Sequence, residues 1–303
     1  MEKIIIDCDP GVDDAVALMM ALAAGEQLEV CGITTVAGNL PLPAVTRNAL
    51  RILSFLQRED IPVFAGCSRA IFPGPARLSS VHGADGLGNS GLPESELRPA
   101  QQHAVDFIID TVLAAAGEIT LCVLGPMTNI ALALIKAPEI APQIKQIVVM
   151  GGAVFCPGNT TPAAEFNFAC DPHAAEVVLA AGVPLTLFGL DVTSKALLTA
   201  PRIEALRQSD SASCQLAAVM LADYGAADPC LHDPCVIAGL LDPDCFTGIP
   251  AWVSVDCTPG INYGRSVGFV SERHLAGRQP NVKVITGVDD QRLFRLLMDL
   301  LSR

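Results

Sequence analysis

Positive charge is scarce in this sequence: 19 lysines and arginines stand against 32 aspartates and glutamates, a net charge of −13 over 303 residues. That deficit disfavours nucleic acid and anionic membrane surfaces as partners, because both are bound chiefly by basic side chains. A small neutral or cationic ligand fits better. Apolar runs of membrane-spanning length are missing too, as is a basic N-terminal start followed by a cleavage site, so a cytoplasmic protein with no membrane partner is expected. No Pro/Gly/Ser-rich linker, charge block or internal repeat divides the chain, and residues 1–303 read as a single domain. Cysteine is plentiful, but a pairing pattern is absent. The eleven cysteines are odd in number and sit mostly in apolar runs such as Leu121-Cys122-Val123, which suits small buried hydrophobes in a reducing compartment.

What is present is apolar and alternating. The hydrophobic fraction of 51% against a charged fraction of 17% allows a large core. Strand-like runs at Ile4 to Ile6, Val30 to Val36, Ile119 to Leu124, Ile147 to Met150 and Leu185 to Leu190 alternate with helical stretches. The helical stretches are Ala15 to Ala24, Ala44 to Leu56, Ala104 to Ala116, Asn129 to Ile135 and Ala174 to Ala180. This order predicts an α/β fold with a mainly parallel, doubly wound sheet flanked by helices. Short β-like runs with turn glycines between 245 and 286 predict a small antiparallel appendage near the C-terminus, before a last helix at Asp290 to Leu301. Residues 66 to 102, rich in Gly, Pro and Ser, read as a long loop over the sheet edge.

The densest charge lies where the first strand ends. Asp7, Asp9, Asp13 and Asp14 fall within eight residues, between the strand at Ile4 to Ile6 and the helix from Ala15. In open α/β sheets the carboxyl edge of the strands is where ligands bind. Carboxylates held this close raise one another's pKa unless a cation or a row of donors keeps them ionised. A hard divalent metal with oxygen ligands is the simple answer, since neither thiolates nor several histidines accompany them as zinc would require. Helix capping accounts for one or two of these acids, not four.

Other polar residues recur at predicted strand ends. Asn39 follows the second strand beside Gly38, a position that also suits an ordinary turn asparagine. Leu124-Gly125-Pro126-Met127-Thr128-Asn129 ends another strand and offers a backbone carbonyl at the same edge. Met150-Gly151-Gly152 leads to Asn159, Glu165-Phe166-Asn167 and Asp171. In extended backbone Glu165 and Asn167 would face one side, a pairing that suits a polyol, although a solvated loop with Asp171 as a cap is equally compatible. Asp233, before Pro234 and an apolar run, reads either as a helix N-cap or as a metal ligand beside His232, a residue able to give a proton to a leaving group. Cys230 and Cys235 bracket this pair, but a zinc site would need further thiolates or histidines.

Taken together these residues resemble the inosine-uridine-preferring nucleoside hydrolase family. The stretch Asp7-Cys8-Asp9-Pro10-Gly11-Val12-Asp13-Asp14-Ala15 matches that family's N-terminal signature. The resemblance continues through Thr-Val-Ala-Gly-Asn39, His82-Gly83, Gly-Pro-Met-Thr-Asn129, Met150-Gly-Gly, Asn159 to Asn167, Gly-Leu-Asp191-Val-Thr and His232-Asp233-Pro234. It implies calcium-dependent hydrolysis of the N-glycosidic bond of ribonucleosides to ribose and free base. Asp9, Asp14, Asp233 and the carbonyl of Leu124 would hold Ca²⁺, with Asp7 in support. Asp9 would also accept a proton from a water on the calcium. Asp13, Asn39 and Asn167 would bind the 2′- and 3′-hydroxyls, Asn159 and Glu165 the 5′-hydroxyl, and Met150 would line the ribose floor. His232 is the candidate acid for the departing base, with His82 a second group near it.

Tyr224, eight residues before His232, has a spacing that resembles pyrimidine-preferring members, whereas Met220 one turn earlier is apolar where some of those members carry an amide. A tyrosine at helical spacing is more often a packing residue than a proton relay. The expected preference leans to uridine and cytidine, with purine activity alongside. A small-molecule ribonucleoside is the expected partner, and a homodimer or homotetramer the expected assembly. Two rival readings of the same residues exist. The Asp7-Cys8-Asp9 run also resembles haloacid-dehalogenase-type phosphatases, but no later lysine and acidic pair completes that site. A ribose-binding protein without turnover would not need both Asp9 and His232.

Overall fold

In a computed structural model of the chain, which describes residues 1–72, 79 and 81–303, nine strands form one sheet. They are β1 (Glu2–Cys8), β2 (Leu28–Thr35), β3 (Val63–Ala65), β4 (Ile119–Val123), β5 (Gln146–Met150), β6 (Leu185–Phe188), β7 (Phe246–Val255), β8 (Ser266–Phe269) and β9 (Val282–Val288). Their spatial order is β3-β2-β1-β4-β5-β6-β9-β7-β8, parallel from β3 through β9 and antiparallel in the last two pairings. The expected mainly parallel sheet is therefore present. Its antiparallel C-terminal strands are continuous with the sheet, because β9 pairs with both β6 and β7.

Around the sheet lie α1 (Val12–Ala23), α2 (Leu42–Phe55), α3 (Ala104–Ala114), α4 (Thr128–Lys136), α5 (Phe166–Cys170) and α6 (Pro172–Leu179). They are followed by α7 (Leu190–Thr193), α8 (Ala200–Arg207), α9 (Ala212–Ala227), α10 (Pro234–Leu241), α11 (Glu272–Leu275) and α12 (Asp290–Leu301). The two-residue period of β1 divides the core. Ile4, Ile6 and Cys8 pack with α1, α2, α9, α10 and α12, while Ile5 joins α3, α4 and α6 on the other face. Both layers are needed because every central strand position of β1 from Ile4 onward is buried.

Several boundaries differ from the sequence reading, each for a physical reason. Helix α1 begins at Val12, three residues earlier than expected, which draws Asp13 and Asp14 into its first turn where the helix dipole favours anions. The run Leu185 to Leu190 is strand only to Phe188, since Gly189 breaks it and α7 starts at Leu190. β3 was not predicted, being three residues long and too short to show a period. Of the stretch Glu165 to Asn167 only Glu165 is extended, and Phe166 and Asn167 begin α5. Glu165 is the N-cap of α5, its carboxylate accepting the N–H groups of Asn167 and Phe168. Within the expected loop at 66–102, the described residues carry no helix or strand apart from the bridge between Phe64 and Ala100; residues 73–78 and 80 lie outside the described residues.

This topology decides where chemistry can occur. From β1 the chain winds outward through β2 and β3 on one side, then returns to β4 on the other, so the carboxyl ends of β1 and β4 flank a topological switch point. The acids that follow β1 open onto that crevice.

Candidate active site

Asp9 leaves β1 directly into the crevice, and its carboxylate is clasped by glycines. A Cβ on Gly38 would lie 2.1 Å from its Oδ2 and one on Gly125 2.5 Å from its Oδ1, so both neighbouring turns must lack side chains for Asp9 to sit there. Asn39 N–H donates to Asp9 Oδ2 at 2.6 Å. Asp14 accepts from the N–H groups of Asp9 (3.1 Å) and Gly11 (3.0 Å) and from Asn39 Nδ2 (3.3 Å), the reach-back of a third helical residue to its own cap. Asp7 lies deeper. Its Oδ1 accepts from Thr34 (2.5 Å) and Asn129 (2.7 Å), whereas its buried Oδ2 has no partner.

Across the crevice, Asp233 opens α10 ahead of Pro234 but makes no side-chain capping bond. Its carboxylate is instead turned to the other acids. Asp13, Asp14 and Asp233, all buried, each place an oxygen within 4.8 Å of the others. Burial, and then repulsion by neighbouring aspartates, lifts Asp14 to about 6 and pushes Asp233 and Asp9 well above the usual carboxylate range, while burial raises Asp13 against the pull of His232. Burial alone carries Asp7 to about 7 against the bonds from Asn129 and Thr34. An all-oxygen donor set under this strain fits a hard divalent cation, whose charge would restore the ionised forms. The converging trio contains Asp13 where the sequence reading placed Asp9; Asp9 is held beside it by Asn39.

Above these acids a cavity of about 280 Å³ opens, near the lower end of small-molecule sites at ~300 Å³. Asp13, Asn39, His82, Met150, Asn159, Glu165, Asn167 and Tyr224 all line it, as do Leu124, His232 and Asp233. Asp7, Asp9 and Asp14 are buried and outside its wall. Asn167 bridges two strand ends, its amide donating to the carbonyls of Leu124 (2.7 Å) and Met150 (3.2 Å). Glu165 accepts from Gly152, Asn167 and Phe168 and so faces the cavity as a fixed acceptor, although burial raises its pKa. Asn159 uses Oδ1 to accept from Phe166 N–H at 3.1 Å, which leaves its amide N–H groups for a ligand.

The two histidines differ. His82 Nδ1 accepts the Val12 N–H at 3.1 Å, so its proton resides on Nε2, and burial lowers its pKa to about 4. The ring stacks on Tyr224 with centroids 5.4 Å apart, and Tyr224 OH reaches Asp13 Oδ2 at 3.5 Å. His232 is held at both nitrogens, Nδ1 with Thr193 Oγ1 (2.8 Å) and Nε2 with Asp228 Oδ2 (3.1 Å). Burial alone would lower its pKa, but Asp228, Asp13 and Glu165 outweigh that and raise it. Asp228 and Thr193 were missed by the sequence reading. Asp228 stands four residues before His232, a faint signal at the end of α9 where no helical face continues.

The sequence profile of the inosine-uridine preferring nucleoside hydrolase family matches residues 4–295. A pyrimidine-specific ribonucleoside hydrolase, RihA, from Salmonella gallinarum is 42% identical over 308 residues, covering 99% of this chain and 98% of that protein. Among solved structures, a plant nucleoside hydrolase superposes with a TM-score of 0.94 at 35% identity, covering 99% of each chain. A purine-preferring ribonucleoside hydrolase from Gardnerella vaginalis gives 0.91 at 35% identity, covering 99% of this chain and 98% of its own.

Proposed function

The chain belongs to the inosine-uridine preferring nucleoside hydrolase family and is a glycosidic hydrolase of ribonucleosides; on that premise we propose that it is calcium-dependent and prefers pyrimidine ribonucleosides. What carries this is the convergence of Asn39, Asn159, Glu165 and Asn167 on one cavity that is also lined by Asp13 and Asp233 of a buried carboxylate trio. Sugar hydroxyls are both donors and acceptors, and these residues supply both partners.

Asp9, Asp14 and Asp233, with the Leu124 carbonyl, would hold Ca²⁺, and Asp7 would support them from below. Bound there, the ion would supply Lewis-acid chemistry, acidifying water and anchoring vicinal hydroxyls. Asp13, Asn39 and Asn167 grip the 2′- and 3′-hydroxyls, Asn159 and Glu165 grip the 5′-hydroxyl, and Met150 forms the floor. Asp9 accepts a proton from the attacking water. As the N-glycosidic bond breaks, positive charge grows on the ribose ring, and the buried carboxylates stabilise it. His232 gives a proton to the departing base, its pKa raised by Asp228 against the effect of burial. His82 and Tyr224 stack at the base end. The preference for pyrimidines is supported by the 42% identity to a pyrimidine-specific relative.

A steady-state panel of uridine, cytidine, inosine, adenosine and their 2′-deoxy forms tests the proposal. Uridine or cytidine should give the highest kcat/KM, and each 2′-deoxy form should be poor. Equal rates on ribo and deoxy forms would remove the hydroxyl-binding roles, and a preference for inosine would reverse the base assignment. The phosphatase alternative predicts phosphate release from phosphomonoesters without ribose release from nucleosides.

A further inference from the structure

Between the end of β5 and Asn159 the backbone is held with unusual completeness by side chains from three distant parts of the chain. Gly152 N–H donates to Glu165 Oε2 (2.8 Å), Ala153 N–H to Ser266 Oγ (2.8 Å), Val154 N–H to Asp191 Oδ2 (2.8 Å) and Phe155 N–H to Asp191 Oδ1 (2.7 Å). Four consecutive N–H groups thus have four side-chain acceptors. Asp191 (6% exposed) and Ser266 (1%) are both buried and neither lines the cavity.

The fold brings these partners together by close backbone contact. Leu190 N–H donates to the Gly152 carbonyl at 2.9 Å, and a Cβ on Gly189 would lie 2.7 Å from that same oxygen. Gly152 itself has φ +78, a left-handed conformation that glycine adopts without strain, and it turns the chain away from β5 toward Asp191. A single carboxylate accepting two successive N–H groups is a charge-assisted, bidentate arrangement, so it fixes direction as well as position. A tether that merely held a surface loop would not need a buried charge at its centre, since the desolvation of that charge must be repaid by these bonds.

We propose that Asp191 and Ser266 are positioning residues for recognition of the sugar 5′-hydroxyl, acting through the 152–155 backbone on Glu165 and Asn159. The proposal rests on the assignment of those two residues to the 5′-hydroxyl. Glu165 is fixed at one end of the segment through Gly152, and Asn159 follows four residues after its other end, so a shift of the segment moves both groups away from one hydroxyl. At the 2′,3′ end Asp13 and Asn39 make no bond to this segment or to Glu165, and Asn167, whose backbone N–H donates to Glu165 (2.8 Å), is held at its side chain by the Leu124 and Met150 carbonyls.

The test compares uridine with 5′-deoxyuridine in the wild type and in Ser266→Ala, Asp191→Asn and Asp191→Ala, with melting temperatures measured alongside. A site built to bond a hydroxyl should disfavour the wild-type reaction of 5′-deoxyuridine by at least ~100-fold in kcat/KM. In Asp191→Asn the penalty should shrink to about tenfold or less, because kcat/KM falls on uridine, mostly through KM, and little on 5′-deoxyuridine. Ser266→Ala, which removes one bond of the four, should shrink it less, and it keeps the test decisive if the Asp191 variants do not fold. Equal loss on both substrates would overturn the positioning role while leaving the 5′-hydroxyl assignment in place. A wild type that does not distinguish the two substrates would overturn both.

Discussion

His82 turns its Nδ1 toward the first turn of α1, where it accepts the backbone N–H of Val12 at 3.1 Å. The helix end therefore makes this histidine an acceptor, and with its pKa lowered to about 4 the ring is neutral at physiological pH. His82→Asn, whose side-chain carbonyl can also accept, should retain most of kcat, whereas His82→Ala leaves the Val12 N–H without that partner and should cost more. The linkage has a definite sign. The native ring resists the proton that the unfolded chain takes up near pH 6.5, so below that pH unfolding is favoured, and stability is lost as pH falls from about 6.5 to about 4. Urea melts of wild type and His82→Asn over that window should diverge with acidification; a constant difference would refute the neutral assignment.

Gly38 and Gly125 should tolerate no side chain. An added methyl would lie 2.1 Å and 2.5 Å from the Asp9 oxygens, so Gly38→Ala and Gly125→Ala must displace that carboxylate. The stability cost should be about 1–3 kcal/mol, typical of overpacking. A displacement near 1 Å at a reacting group is worth ~100-fold in rate, so turnover should fall much further than stability. Kinetics and thermal melts on the same preparations check this.

Removing the cation should weaken the fold as well as the activity. Without it, Asp13, Asp14 and Asp233 repel one another in a buried space. Prolonged EDTA treatment should lower Tm and abolish turnover, and calcium should restore both, with stabilisation of about 2.7 kcal/mol once free ion is 100-fold above Kd. Asp233→Asn should blunt the calcium-dependent rise in Tm. A Tm indifferent to both treatments would rule out the metal site.

His232 should matter most when the leaving group is poor. His232→Ala should slow purine nucleosides more than analogues with an activated leaving group, since the latter need no proton. Asp228→Asn removes the strongest influence raising the His232 pKa, so the alkaline limb of the kcat profile should move to lower pH. Unchanged limbs in Asp228→Asn would detach the pair from acid catalysis.

Asp9→Ala should abolish turnover while the chain still folds, with a lowered Tm from weakened calcium binding, because the Asp9 carboxylate accepts a single hydrogen bond, from the Asn39 backbone N–H. Circular dichroism with single-turnover assays checks this, and near-wild-type activity would remove the water-activation role.

Much of the architecture was legible in the chain. The alternation of apolar runs carries the parallel sheet because strand and helix periods are local properties, and Gly25 and Pro234 mark boundaries through their own backbone preferences. The aspartates after β1 announced a charged site by density alone. Less legible were the extended reading of Glu165 to Asn167, where a capping bond within the chain creates a short helix, and β3, which exists only because β2 offers it an edge.

The sequence by itself determined which residue types are available: four aspartates after one strand, asparagines after others, and a histidine beside a fifth acid. Tertiary structure decided their duties. It set Asp13, Asp14 and Asp233 within 4.8 Å of one another, made His82 an acceptor, gave His232 its partner in Asp228, and committed Asp191 to the backbone of a segment more than thirty residues earlier. The reason is that roles such as acid, acceptor or ligand depend on burial and on neighbours brought from distant strands, and neither is a property of local sequence.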